Sequence, residues 1–113
     1  MTEPSGPNKR RHPRANLTTK LFAAWRSSAR KNVARVSSVC LGGLFIREKD
    51  PPPAGSTLEL LFETPHGEIR ARATVRTAVA GRGMGVEFTQ MRQEERARLS
   101  QMLKKLLEAP AVS

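Results

Sequence analysis

A chain of 113 residues corresponds to one domain, large enough to bury about two-thirds of its unfolded surface and so to fold without staples. Twenty Lys and Arg against ten Asp and Glu give a net charge of +10, which favours an anionic partner, and arginine is the residue suited to planar, bidentate recognition of phosphate or guanine edges. One cysteine, Cys40, excludes an internal disulfide and a Cys-rich zinc site, and no apolar run approaches the ~20 residues that cross a bilayer.

Residues 1–9 are polar, carry two prolines and offer nothing to bury, so they read as a disordered tail; they also lack the apolar stretch of a secretory signal. With the lone thiol, this makes a cytoplasmic protein the expectation. The ordered domain is expected to span residues 10–108, with 109–113 as a short second tail.

From Leu17 the pattern is that of strands. Leu17, Thr19, Leu21, Ala23 and Trp25 fall on one face of an extended segment. Residues 26–31, rich in Ser and charge, make a turn, and a second strand over 32–39 carries Val33, Val36 and Val39. Gly42-Gly43 punctuates the chain before a third short strand at Leu44-Phe45-Ile46. Residues 50–55 must be a loop, because the consecutive Pro51, Pro52 and Pro53 cannot donate to a ladder.

Leu58, Leu60 and Phe62 alternate with Glu59 and Glu63 as in a half-buried strand, and Pro65-His66-Gly67 is the next turn. The clearest period of two follows: Ile69, Ala71, Ala73 and Val75 on one face, Arg70, Arg72, Thr74 and Arg76 on the other. Ala80-Gly81-Arg82-Gly83 makes a glycine-rich turn, and the chain returns as a strand over 84–88. At the end the period changes. Leu99, Met102, Leu103, Leu106 and Leu107 are spaced as the apolar stripe of a helix running from Gln93 to Glu108. Glu94 and Glu95 in its first turn and Lys104 and Lys105 in its last complement the helix dipole, and Pro110 stops it. About six short strands at hairpin spacing, followed by one amphipathic helix, predict an all-β antiparallel barrel with a C-terminal helix covering its mouth or flank.

The candidate site lies in two short segments. Arg10-Arg11-His12-Pro13-Arg14 places three guanidiniums within five residues. Pro13 disfavours helix at His12. In an extended chain Arg10 and Arg14 stand about 13 Å apart, close enough to reach separate parts of one medium-sized ligand. Each can donate two hydrogen bonds to O6 and N7 of guanine, stack on the base, or fork a phosphate. Judged alone, the segment fits a solvated basic tail better than a defined site. The second segment is Ser38-Val39-Cys40-Leu41-Gly42-Gly43, a small-residue turn between two strands.

These two segments, with Val36-Ser37 before the second, Leu44-Phe45-Ile46 after it, Gly83-Met84-Gly85-Val86-Glu87-Phe88 and the Leu-rich helix, resemble in their order the PilZ domain family over nearly the whole chain. The resemblance implies a six-stranded antiparallel barrel with a C-terminal helix that is a receptor for cyclic di-GMP and no enzyme. The ligand site of such domains joins an R-x-x-x-R segment before the first strand to a D/N-x-S-x-x-G segment between the second and third. Arg10 and Arg14 match the first, with Arg11 beside them; in the second only Gly43 matches. Ser38 stands where Asp or Asn is expected, and Cys40 where Ser is expected. The resemblance therefore implies Arg10, Arg11, Arg14, Ser38, Cys40 and Gly43 as the ligand-binding residues, with cyclic di-GMP as ligand and no cofactor. A carboxylate can accept from both N1–H and N2–H of guanine, whereas one hydroxyl cannot, and a thiol is a weak donor.

Other chemistry is poorly supported. A glycine fingerprint at Gly81, Gly83 and Gly85 lacks the helix that must follow it. His12 and His66 are far apart, which argues against a metal site. Cys40 has no general base beside it. Trp25 closes an apolar face and reads as core. With one Trp, four Phe and no Tyr, a stacking platform for single-stranded nucleic acid ranks last. The stripe of Arg70, Arg72 and Arg76 reads as edge protection or, functionally, as a docking surface for an acidic protein, nucleic acid or anionic membrane. Three readings follow in order: a cyclic di-GMP receptor that signals to a downstream protein by ordering its arginine segment; a protein-binding adapter blind to the dinucleotide; and a basic nucleic-acid-binding domain.

Overall fold

Every long strand of the chain is paired on both sides, in a ladder that closes on itself. The computed structural model describes residues 15–16 and 21–108. In chain order these form β1 (Ala15–Asn16), β2 (Phe22–Arg26), β3 (Lys31–Cys40), β4 (Gly43–Arg47), β5 (Thr57–Thr64), β6 (Gly67–Val79), β7 (Gly83–Met91) and the helix α1 (Gln93–Glu108). The pairing runs β3-β2-β5-β6-β7-β4, and β4 pairs back to β3, so six antiparallel strands make a barrel. The two-residue β1 is added to β3 beyond the end of β2. The expected all-β barrel with a terminal helix is the fold found.

The alternation read from the sequence decides which side chains fill the barrel. Ile69, Ala71, Ala73 and Val75 of β6 are buried while Arg70, Arg72 and Arg76 are exposed. Leu58, Leu60 and Phe62 of β5 and Ala23 and Trp25 of β2 meet them inside. Trp25 is fully in the core, as expected. Its indole N–H donates to Glu48 Oε1 at 3.3 Å, and the Arg30 guanidinium lies 5.5 Å from its ring centroid. A buried indole keeps a polar partner this way.

The connections are short and locally determined. Ser27 Oγ accepts from the backbone N–H groups of Ala29 and Arg30 in the β2–β3 turn. Thr64 Oγ1 accepts from His66 N–H at 3.0 Å and donates to the Gly67 carbonyl at 2.8 Å, fixing a two-residue turn. Gly67 has φ of +127°, a conformation open to glycine, and its missing side chain leaves room for Arg98. The proline loop is tied to β6 by Gly55 N–H to the Val75 carbonyl and Val75 N–H to the Ser56 carbonyl.

The helix closes one end of the barrel. Leu99, Met102 and Leu103 are buried in the same core cluster as Phe62 and Ile69, and Leu106 packs at its margin. Phe62 and Phe88 stack with ring centroids 6.5 Å apart near this end. Burying the stripe is what stabilises α1, since a helix of this length is marginal alone in water.

Two sequence-based expectations change in detail. The second strand expected over 32–39 runs from Lys31 to Cys40, and of its three valines Val36 and Val39 are fully buried while Val33 is 62% exposed. The last strand also runs further than expected, to Met91. The expected tails, Leu17 and Thr19 lie outside the described residues.

Candidate functional site

The first of the two site segments, with Arg10, Arg11, His12 and Arg14, lies outside the described residues. The second occupies the end of β3, the turn, and the start of β4. Its positioning begins with a bulge. Val36 pairs with Ile46 and Ser38 with Phe45, so Ser37 is an extra residue on β3. A bulge shifts the parity of everything after it. Val36 faces the core before it and Val39 faces the core after it, which leaves Ser38 and Cys40 on the opposite, outer side of the strand.

The outer side of this strand end is not open to solvent. Ser38 is 7% and Cys40 8% exposed, and Cys40 is a free thiol outside the contiguous core cluster. Cys40 pairs with Gly43 across the turn. Gly42 holds the turn to β7, its carbonyl accepting from Phe88 N–H at 2.8 Å. Gly43 is required by close approach: a Cβ there would run into the carbonyl oxygen of Val86 on β7. The small residues of this turn therefore let three strands meet at one rim of the barrel.

The same rim receives β1. Ala15 pairs with Val39 and Asn16 with Ser38. Ala15 directly follows Arg14 in the chain. Thus the structure brings Ser38, Cys40 and Gly43 together with Ala15 and Asn16.

Two contacts near this end of the barrel went unread in the sequence. Glu95, in the first turn of α1, is buried and accepts from the backbone N–H of Arg70 at 3.1 Å. Arg98 donates to the Glu68 carbonyl at 2.7 Å. The only sequence signal for either was their place on the helix flank beside the apolar stripe. His66 lies in the β5–β6 turn, and among the described residues no three His, Cys, Asp or Glu side chains come together as metal ligands would. No helix among the described residues is long and apolar enough to cross a membrane.

Solved structures share this architecture. The inhibitor of motility MotI/DgrA from Bacillus subtilis superposes with a TM-score of 0.75 at 18% identity, over 89% of this chain and 53% of that one. The K. pneumonia MrkH–c-di-GMP complex gives 0.75 at 18% identity, over 92% of this chain and 54% of that chain. The PilZ domain of YcgR from Escherichia coli, solved with c-di-GMP, gives 0.59 at 12% identity, over 88% and 90%. The chain thus spans about half the length of MotI and MrkH. Among curated protein sequences none matches it. The family model for the PilZ domain matches residues 8–105, which takes in both site segments, the whole barrel and most of the helix. A closed six-stranded barrel with a terminal helix, matched over that length, makes the chain a member of the PilZ domain family, whose domains are cyclic di-GMP-binding receptors and adapters and not enzymes.

Proposed function

We propose that this chain is a cyclic di-GMP receptor that holds the dinucleotide between Arg10, Arg11 and Arg14 on one side and the turn carrying Ser38, Cys40 and Gly43 on the other. The observation that supports it is the pairing of Ala15–Asn16, the residues that follow Arg14 in the chain, with Val39–Ser38 of the opposing wall. Guanidinium groups supply what this ligand needs, forks for two phosphodiesters and donor pairs for guanine edges. The wall is weaker than the family pattern. Losing one charged hydrogen bond costs about 1.5–3 kcal/mol, which lowers affinity by about one to two orders of magnitude. Signalling follows if the arginine segment orders around the dinucleotide and a downstream protein, in the cytoplasm, reads the ordered surface.

Calorimetric titration with cyclic di-GMP tests this reading. Binding that disappears on Arg10→Ala and Arg14→Ala substitution supports it. No heat at hundreds of micromolar, with circular dichroism showing folded protein, overturns it.

One observation favours the alternative of an adapter blind to the dinucleotide: Ser38 and Cys40 are each more than nine-tenths buried and offer little surface to a ligand. Under that reading, capture of a protein partner is unchanged by the arginine substitutions and by the dinucleotide.

A further inference from the structure

We infer that the outer face of β2, β3 and β5 is a docking groove for an acidic amphipathic helix of a partner protein. The groove has a volume of about 870 Å³ and lies away from the turn at Ser38. Its floor is apolar and set by register. Val33 pairs with Ala24, and Ala24 with Leu61, so three apolar side chains form one row across three adjacent strands on the outside of the barrel. Val33 is 62% exposed, and Phe22, two positions from Ala24 on the same face, is 50% exposed. The short Ala24 side chain makes the middle of the row its lowest point. The apolar row across β3, β2 and β5 spans about 10 Å, comparable with the diameter of one α-helix, about 10–12 Å, and the groove continues past Arg70 to Gln90 and Met91 of β7.

The walls are predominantly cationic, with five Lys and Arg against Glu59 and Glu95. One row further along the strands, Lys31 pairs with Arg26, Arg26 with Glu59, and Glu59 with Arg72. The single carboxylate of Glu59 is shared by two guanidiniums, at 2.5 Å from Arg26 and 3.8 Å from Arg72, so both retain unused donors. Arg70 closes the floor row at the far end, and Arg35 stands opposite Phe22 on the other flank. This stripe is not edge protection, because β6 is hydrogen-bonded to β5 and β7 along the stretch that carries Arg72.

Charge and shape together select the occupant. A second copy of the chain would bring two such cationic rims together, at a net charge of +10 each. A nucleic acid would use the cations but leave Val33, Leu61 and Phe22 against water. A flat lipid surface does not fill a trough. The chain's own helix is basic on its outer face and is already packed over the barrel end. An apolar helical stripe flanked by carboxylates satisfies both floor and walls, as in helix-in-groove recognition.

The test uses the full chain and fluorescence anisotropy. The probe is a labelled synthetic peptide of about five helical turns, with a Leu stripe flanked by Glu. A second peptide replaces each Leu by Ser and keeps the charge. The groove requires the first to bind at least about tenfold tighter than the second. Val33→Asp, and separately Lys31→Gln with Arg72→Gln, must each weaken it by about tenfold or more. Lys104→Gln, on the last turns of the helix and not lining the groove, must leave it unchanged, with thermal melts confirming that every variant folds. Equal binding of the two peptides, indifference to Val33→Asp, or no binding at hundreds of micromolar overturns the inference. Tighter binding of duplex DNA or phosphatidylglycerol vesicles through the same residues also overturns it. None of these readouts depends on whether the dinucleotide binds.

Discussion

The carboxylate of Glu95 accepts the backbone N–H of Arg70 at a point where β7 no longer accompanies β6. The β6–β7 ladder begins at Ala71, paired with Met91, so the first residues of β6 have no strand on that side. Helix α1 supplies the missing partners from side chains, with Glu95 as acceptor for Arg70 N–H and Arg98 as donor to the Glu68 carbonyl. The terminal helix thus completes the hydrogen bonding of the barrel as well as covering its end.

Glu95→Ala is expected to destabilise the fold by about 1 kcal/mol, since it leaves the part-buried N–H of Arg70 without its acceptor. Glu95→Gln keeps a carbonyl oxygen there and should cost less. The midpoint of urea unfolding, with an unchanged slope, measures both.

Gly43→Ala should be at least as damaging despite adding one methyl. The new Cβ would meet the Val86 carbonyl, so β4 and β7 must separate, an overpacking cost of about 1–3 kcal/mol. The turn that carries Cys40 would move with them, so any dinucleotide affinity should fall in the same variant. Parallel unfolding and titration experiments separate the two effects.

Two valines on one strand should respond differently to truncation. Val36→Ala removes a fully buried side chain and is expected to cost about 1.5–3 kcal/mol. Val33→Ala, on the exposed face, should stay within about 0.5 kcal/mol of the parent. Equal effects would mean that the alternation of faces from Val33 to Val36 has been misassigned.

Glu59 should titrate below the ordinary glutamate range. The hydrogen bond from Arg26 holds its carboxyl down, with the charges of Arg26 and, less strongly, Arg72 adding to it. A lowered folded-state value stabilises the fold at pH above the unfolded value, and that contribution is lost as pH falls through the folded one. The group is on the surface, so the effect on stability is small and the direct readout is better. Carboxyl chemical shifts followed by NMR should show Glu59 among the most acidic glutamates, rising toward the ordinary range in Arg26→Gln.

Restoring the family pattern tests the proposed ligand site. Ser38→Asn returns an amide that can both donate and accept, and should tighten cyclic di-GMP binding by about tenfold or more if the turn forms the ligand's second wall. Unchanged affinity in a folded variant would remove Ser38 from the site.

Much of this fold was legible because its signals are periodic. The alternation from Ile69 to Val75 and the helical stripe from Leu99 to Leu106 each fix a face without reference to anything distant. The bulge at Ser37 was not legible. An inserted residue shows only as a phase change between Val36 and Val39, and three valines spaced by three look like a plain β-rich run. Nor was the role of Glu95, since its partner is a backbone N–H whose need arises only once β7 has departed. The site segments were visible as residue types, but the pairing of Ala15 and Asn16 with Val39 and Ser38 was not.

The circular ladder has a consequence for how this chain can vary. In an open sheet a strand at the border can slide by one residue and disturb a single neighbour. Here a slip in any of the six strands would have to be accommodated by both of its neighbours, and so on around the circuit. Single-residue insertions should therefore survive only in the connections, above all in the proline loop, while the strands tolerate exchange of residues but not a change in their number.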